Sequence, residues 1–264
     1  MTRSGPFAFA CGLLLALTAG FLLLPLIGIL TDVPPADLVD GLRDPAARDA
    51  LRLSLETSTA ALALIVVCGT PAAWLLATRR FPGRGLLITA IELPLVLPPA
   101  VAGIGLLAAL GPHGLLGSAL DHAGVRLVFQ TAGVVVALTF VASPFYIRQA
   151  IAGFTALDSQ LLGASRTLGA GEARTFLRVG VPLARHALAA GAALAWGRAL
   201  GEFGATLLFA GSLRGVTQTA PLAIYERFST SFTGALSLSV VLIAASVAVL
   251  ATTRLVTRSA DADA

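Results

Sequence analysis

Arg198 and Glu202 stand four residues apart in a stretch, 187–211, that carries no other charge. On a helix that spacing puts a guanidinium and a carboxylate on one face, within reach of each other. In an apolar medium both groups are costly. They mark either the wall of a polar pathway near its gate or an ion pair that ties two helices together. Glu56 and Glu92 also fall inside apolar stretches and raise the same question. Beside the pair, Gly201, Gly204 and Ala205 are small enough to let helices approach closely, with Phe203 and Thr206 on the same segment. Pro94, Pro98 and Pro99 interrupt another apolar stretch. Prolines free carbonyls and bend helices, so this region either lines a polar path or is a static kink. Thr206, Thr217, Thr219 and backbone N–H groups are donors that hold an acceptor-rich solute briefly. A tight cationic pocket would work against its release.

Other chemistries find no support. All eighteen basic residues are arginine, so the lysine that a P-loop extends to the phosphates is missing. ATP hydrolysis by that route is excluded. His113, His122 and His186 lack metal-ligand spacing, and no nucleophile stands beside a base. Neither a metal nor a cofactor is expected on this chain. Cys11 and Cys68 lie in apolar runs and read as small buried hydrophobes.

The elements that must position these residues follow from composition. The 264 residues are 56% hydrophobic and only 12% charged, about half the charge of an ordinary soluble domain. Six apolar stretches, 7–30, 53–77, 85–110, 129–151, 187–211 and 236–255, are each long enough to cross a hydrocarbon core. In lipid the backbone must bond to itself, so each is expected to be a helix. The expected fold class is an all-α integral membrane protein with six transmembrane helices in one domain, 1–264. The run after Arg3 is too long for a signal peptide and reads as a retained first span.

With the N-terminus inside, the inner segments hold Arg3, Arg79, Arg80, Arg84, Arg148, Arg166, Arg174, Arg178, Arg185, Arg254 and Arg258. The outer loops hold Arg43, Arg48, Arg52, Arg126, Arg214 and Arg227, together with Asp32, Asp37, Asp40, Asp44, Asp49, Asp121 and Glu226. The positive-inside rule therefore puts both termini in the cytoplasm. It also accounts for a pI near 10 without a nucleic-acid partner. In the first outer loop Asp44 and Pro45 supply an N-cap and a first helical proline, so a short helix begins there and feeds the second span. The tail after Arg258 is expected to fray.

The longest inner segment, 152–186, is polar and arginine-rich. Leu162, Leu168, Phe176, Leu177, Val179 and Val181 recur within it. That pattern predicts two short amphipathic helices broken around 169–171, either docking a partner or lying at the interface. The segment resembles the EAA loop of ABC-importer permeases: Glu-Ala-Ala, three residues, Gly, nine residues, then aliphatic, any, aliphatic, Pro. Ala164 matches the first alanine and Gly169 the glycine, flanked by Leu168 and Ala170. Val179, Val181 and Pro182 close the motif. Gly163 replaces the motif's glutamate and Ser165 its second alanine.

The resemblance extends over about 50–228. RRFPGRGLL at 79–87, LPLVLPPAVA at 93–102, RALGEFGATLLFA at 198–210 and TQTAPLAIY at 217–225 are similar to permeases of the molybdate/tungstate branch, with sulfate and thiosulfate permeases as relatives. It implies a multi-pass subunit of a bacterial inner membrane, paired with a second permease copy. It further implies a cytoplasmic ABC ATPase dimer that binds ATP and Mg, coupled through residues 163–182, and a periplasmic or extracellular oxyanion-binding protein. The permease pair would enclose the path at the dimer axis. An ion-gradient transporter using Glu92 or Glu202 would show inverted repeats, and none is visible. An intramembrane enzyme would need a catalytic set that the sequence lacks.

Overall fold

The computed structural model describes residues 6–34 and 43–262, and every regular element among them is helical. Arg3, Asp37 and Asp40, which entered the orientation argument, lie outside the described residues, as does most of the loop after Asp32.

Helix α1, Pro6–Thr31, is apolar on every side and its described side chains lie on the surface. Among the helices it meets α13, Phe232–Ala262. Cys11, on α1, is exposed, and so is Cys68 on α2, Pro45–Thr78. Neither is a buried hydrophobe. A helix bathed in lipid gains nothing by turning its apolar side chains inward.

The core is formed by α2 with α6, Thr131–Thr155, and α10, Arg185–Leu200. Ala61, Ile65, Val134, Leu138, Tyr146, Ala195 and Ala199 interlock there. Small residues set the spacing: a Cβ on Gly69 would stand 3.1 Å from the Tyr146 ring. The hydroxyls of Thr70 and Tyr146 bond at 2.6 Å, and Trp196 Nε1 donates to Ser58 at 3.0 Å. Such bonds are the polar glue of helices in lipid. Asp44 caps α2, accepting from the Ala46 N–H at 3.0 Å, with Pro45 in the first turn. The helix that starts there is not a separate short one. It runs unbroken to Thr78, a length of about 50 Å.

Among the described residues, three helices are long and apolar enough to span a membrane: Phe7–Thr31, Pro45–Thr78 and Thr131–Thr155. Stretch 85–110 is not one straight span. It divides into α3, Arg84–Val96, and α4, Pro99–Leu110, which turn through 119° at the break. Pro98 is extended there, and Pro99 has no N–H to continue the helical ladder. A short α5, Gly117–His122, follows. Stretch 187–211 is broken too. After α10 the chain opens at 201–203 before α11, Gly204–Ala210. Helix α12, Ala220–Phe228, then packs on α13 and α2. The last stretch lies within α13, which stays helical to Ala262 instead of fraying after Arg258.

Candidate functional site

The two helix breaks meet. Gly204, first residue of α11, faces Pro99, first residue of α4: a Cβ on Gly204 would fall 2.7 Å from the Pro99 Cβ. One turn on, a Cβ on Gly103 would stand 2.9 Å from the Ala205 carbonyl oxygen. The two helices therefore cross through glycine and alanine near their N-terminal turns. Pro98 and Phe203, the residues just before Pro99 and Gly204 in the chain, flank this contact.

Glu202 sits in the break with its side chain 1% exposed. One carboxylate oxygen accepts the Ala205 N–H at 2.8 Å, and the other meets Arg198 Nη2 at 2.6 Å. The pair forms, but not on a continuous helix. Glu202 ends one helix's domain and caps the next, where its charge complements the positive end of the helix dipole. Sequence reasoning missed this role. The available signal was an acid flanked by Gly201 and Gly204, two residues poor at continuing a helix.

The Phe203 ring packs, tilted, at 5.1 Å from that of Tyr225 of α12, which is exposed. Thr206 and Thr219 are buried, and neither hydroxyl has a hydrogen-bond partner among the described residues. Thr217 is occupied, accepting the Leu213 N–H at 2.9 Å. Glu56 forms an exposed pair with Arg52 at 2.7 Å, about three turns from the start of α2. Glu92 on α3 lies 3.7 Å from Arg148 on α6.

At the opposite end stands the segment after α6. Asp158 caps α7, Ser159–Thr167, by accepting the Gln160 N–H at 2.8 Å. Gly169 follows at φ +83°, a left-handed turn that glycine adopts without cost. Its N–H donates to Arg166 O at 3.0 Å and that of Ala170 to Ser165 O at 3.1 Å, which closes the helix end. Gly171 then precedes α8, Glu172–Thr175. A π-helical turn, Phe176–Gly180, and α9, Val181–Leu183, lead into α10.

This segment is anchored from beneath. Phe176 packs 5.5 Å from Trp74 of α2, and Trp74 stands edge-on to Phe154 at 5.2 Å. Gly180 lies against Trp74 so closely that a Cβ would be 2.5 Å from the ring. Ser165 and Thr175 bond hydroxyl to hydroxyl at 3.0 Å, joining α7 to α8. Arg79, capping residue of α2, clasps both Glu172 oxygens at 2.7 Å. That hydrogen-bonded clasp holds the Glu172 carboxyl below its ordinary range and raises the Arg79 guanidinium. Leu162 and Thr175 are buried, Val179 and Val181 half-buried. Outward point Leu161, Ala164, Arg166, Leu168, Leu177 and Pro182, with Leu168 88% exposed. Around Gly163 there is open space: a Cβ there would meet nothing within 4 Å.

The comparisons agree with this architecture. Residues 69–261 match the family described as binding-protein-dependent transport system inner membrane component. The molybdenum transport system permease protein ModB of Mycobacterium bovis is 40% identical over 229 residues, covering 84% of each chain. The sulfate transport system permease protein CysW of Synechococcus elongatus is 35% identical over 205 residues, covering 76% of this chain and 72% of that one. Among solved structures, a bacterial alginate ABC transporter chain superposes with a TM-score of 0.76 at 14% identity, over 96% of this chain and 94% of that one. The chain belongs to the family of inner membrane components of binding-protein-dependent transport systems.

Proposed function

We propose that this chain is the membrane subunit of an ATP-driven importer for a tetrahedral oxyanion, molybdate or tungstate before sulfate. The observation that carries the reading is the segment 159–183: helix, left-handed Gly169, helix, braced on Trp74 and Arg79, with leucines turned to solvent. An exposed apolar ridge on a rigid mount suits a groove on an ATPase subunit. ATP and Mg bind there, not on this lysine-free chain. Residues 163–165, 168–170, 179, 181 and 182 form the coupling loop. The break at Pro98, Pro99, Arg198, Glu202, Phe203, Gly204 and Thr206 forms the gate of the path.

Molybdate is preferred because the ModB relative is more similar over a larger share of this chain than the CysW relative. The chain crosses the inner membrane six times with both termini cytoplasmic, α3–α4 and α10–α11 serving as broken crossings. A second copy covers the exposed aromatic edge of Tyr225 and Phe228 beside the break, and an external binding protein delivers the anion.

Reconstitution tests this. The chain is incorporated into vesicles with its ATPase and binding protein, and molybdate uptake is followed with and without ATP. ATP-dependent uptake that excess molybdate suppresses and equal sulfate does not is expected. Uptake driven by a proton gradient without the ATPase would overturn the importer reading, and preferential suppression by sulfate would reassign the substrate.

A further inference from the structure

Among the described residues, two ion pairs have both partners inside the apolar stretches, and they are held differently. Arg198 and Glu202 touch at 2.6 Å with the carboxylate buried. Arg148 and Glu92 stand 3.7 Å apart with side chains 71% and 38% exposed. A charge-assisted hydrogen bond closes to about 2.7–2.9 Å. The first pair is closed on itself. The second leaves a guanidinium with donors to spare.

Depth follows from the helices. Arg84, first residue of α3, donates to Leu76 O at the cytoplasmic end of α2. Glu92 lies eight residues further along α3, about 12 Å deeper. Tyr146, two residues before Arg148, bonds Thr70, nine residues inside Arg79. That puts Arg148 on the order of 10 Å inside the arginines at the membrane edge. Half a hydrocarbon core is about 15 Å. Two exposed charges at that depth are costly against lipid, so they face water or protein.

Their position in the fold decides what they face. Arg148 and Val141 are seven residues apart and share one face of α6. Val141 packs against Ala102 of α4 and Ala205 of α11, the crossing that holds the break. Arg148 is therefore about 10 Å to the cytoplasmic side of that crossing. Glu92 is on α3, which leads directly into the Pro98 break.

We propose that Arg148 is the inner anion site of the path, receiving a tetrahedral oxyanion below the break and releasing it to the cytoplasm, with Glu92 as the competing counter-ion that prevents trapping. This rests on the importer reading. Multi-point donation from a guanidinium matches a tetrahedral oxyanion, and the adjacent carboxylate keeps the binding weak enough for exit.

The test uses the reconstituted complex with Cys11 and Cys68 replaced by alanine. Arg148→Cys is exposed, in inside-out vesicles, to a charged maleimide that does not cross lipid. Val67→Cys, also exposed, on α2, is the lipid-facing control. Labelling of R148C, slowed by molybdate, with V67C inert, is expected. R148C as inert as V67C overturns the proposal, because the arginine then meets lipid and only reaches for the surface. Arg148→Gln is expected to lower molybdate uptake about tenfold, the loss of a charge-assisted contact, with ATPase copurification retained and Arg148→Lys restoring most of the rate. Uptake by R148Q equal to the parent's also overturns it. A parent complex that takes up no molybdate sinks the substrate reading instead, and labelling of R148C still decides whether the pair faces water.

Discussion

Removing the Glu202 carboxylate separates its two bonds. In Glu202→Ala the Ala205 N–H loses its acceptor, at about 1 kcal/mol for a lost cap. Arg198 is left 28% exposed without its partner. Breaking a buried pair costs about 3–5 kcal/mol, and the residual exposure of Arg198 takes this to the lower end. The sum is about 4 kcal/mol. Glu202→Gln keeps an oxygen for Ala205 and loses only the charge, at about 2 kcal/mol. The double variant Arg198→Ala/Glu202→Ala strands no charge and is expected to lose about 2 kcal/mol less than the single losses added together. The assay is unfolding of the purified permease in mixed micelles, followed by helical circular dichroism. If E202Q costs as much as E202A, the cap contributes nothing. If the single losses add to within about 0.5 kcal/mol, the pair has no energetic content and the account of the break is wrong.

Gly204→Ala drives a methyl into the Pro99 Cβ, 2.7 Å away in the fixed backbone. Overpacking of about 1–3 kcal/mol and slower ATP-driven uptake are expected, and unchanged stability would show that α4 and α11 slide apart freely. Gly169→Leu forces a side chain into a left-handed turn at about 1–2 kcal/mol. Loss of ATPase copurification is expected, and retention with normal uptake would count against the docking role. The Arg79–Glu172 clasp depresses the Glu172 carboxyl. Its stabilisation is therefore fully present above the ordinary glutamate range, near 4.3, and fades as pH falls through the lower folded value. Uptake per ATP should be flat across neutral pH in the parent and reduced in Glu172→Gln. A partial rescue is expected when Arg79→Glu is combined with Glu172→Arg.

Much of this was legible because lipid imposes simple rules. Unbroken apolar runs gave α1, α2 and α6 near their true positions, and Asp44–Pro45 marked the true start of α2. The punctuation around Gly169 gave α7 and α8, since a left-handed residue has a distinct local signature. The break at 201–203 was signalled only by Glu202 between Gly201 and Gly204, and small residues of that kind also occur inside helices that pack closely in lipid. The 119° turn was hidden for a different reason. Pro98 and Pro99 announce an interruption, but its angle is fixed by Gly103 and Gly204 letting two distant segments touch. Glu56 pairs with Arg52, a partner that the apolar stretch 53–77 leaves out because α2 starts eight residues earlier, at Pro45.

The two departures from the coupling motif have physical content that explains why the segment keeps its shape. At 165 a hydroxyl replaces a methyl, and it bonds Thr175 across the glycine turn. The substitution adds a tie between α7 and α8 where an alanine would offer none. At 163 the missing side chain leaves no cavity, because the space beside it is open. The acid absent from 163 therefore takes nothing from the interior. The acid that does brace the segment is Glu172, on the far side of Gly169, and its partner Arg79 ends α2. With Trp74 wedged against Phe176 and Gly180, α2 grips the segment at two levels. At its other end the same helix is bonded to α12, through Arg227 to Asp44 and the Ala220 N–H to Ser54 at 2.7 Å. On the proposed coupling role, a force entering at Leu168 meets a continuous helix about 50 Å long instead of a loose loop. The lost glutamate is no obstacle to that, since none of these bonds involves position 163.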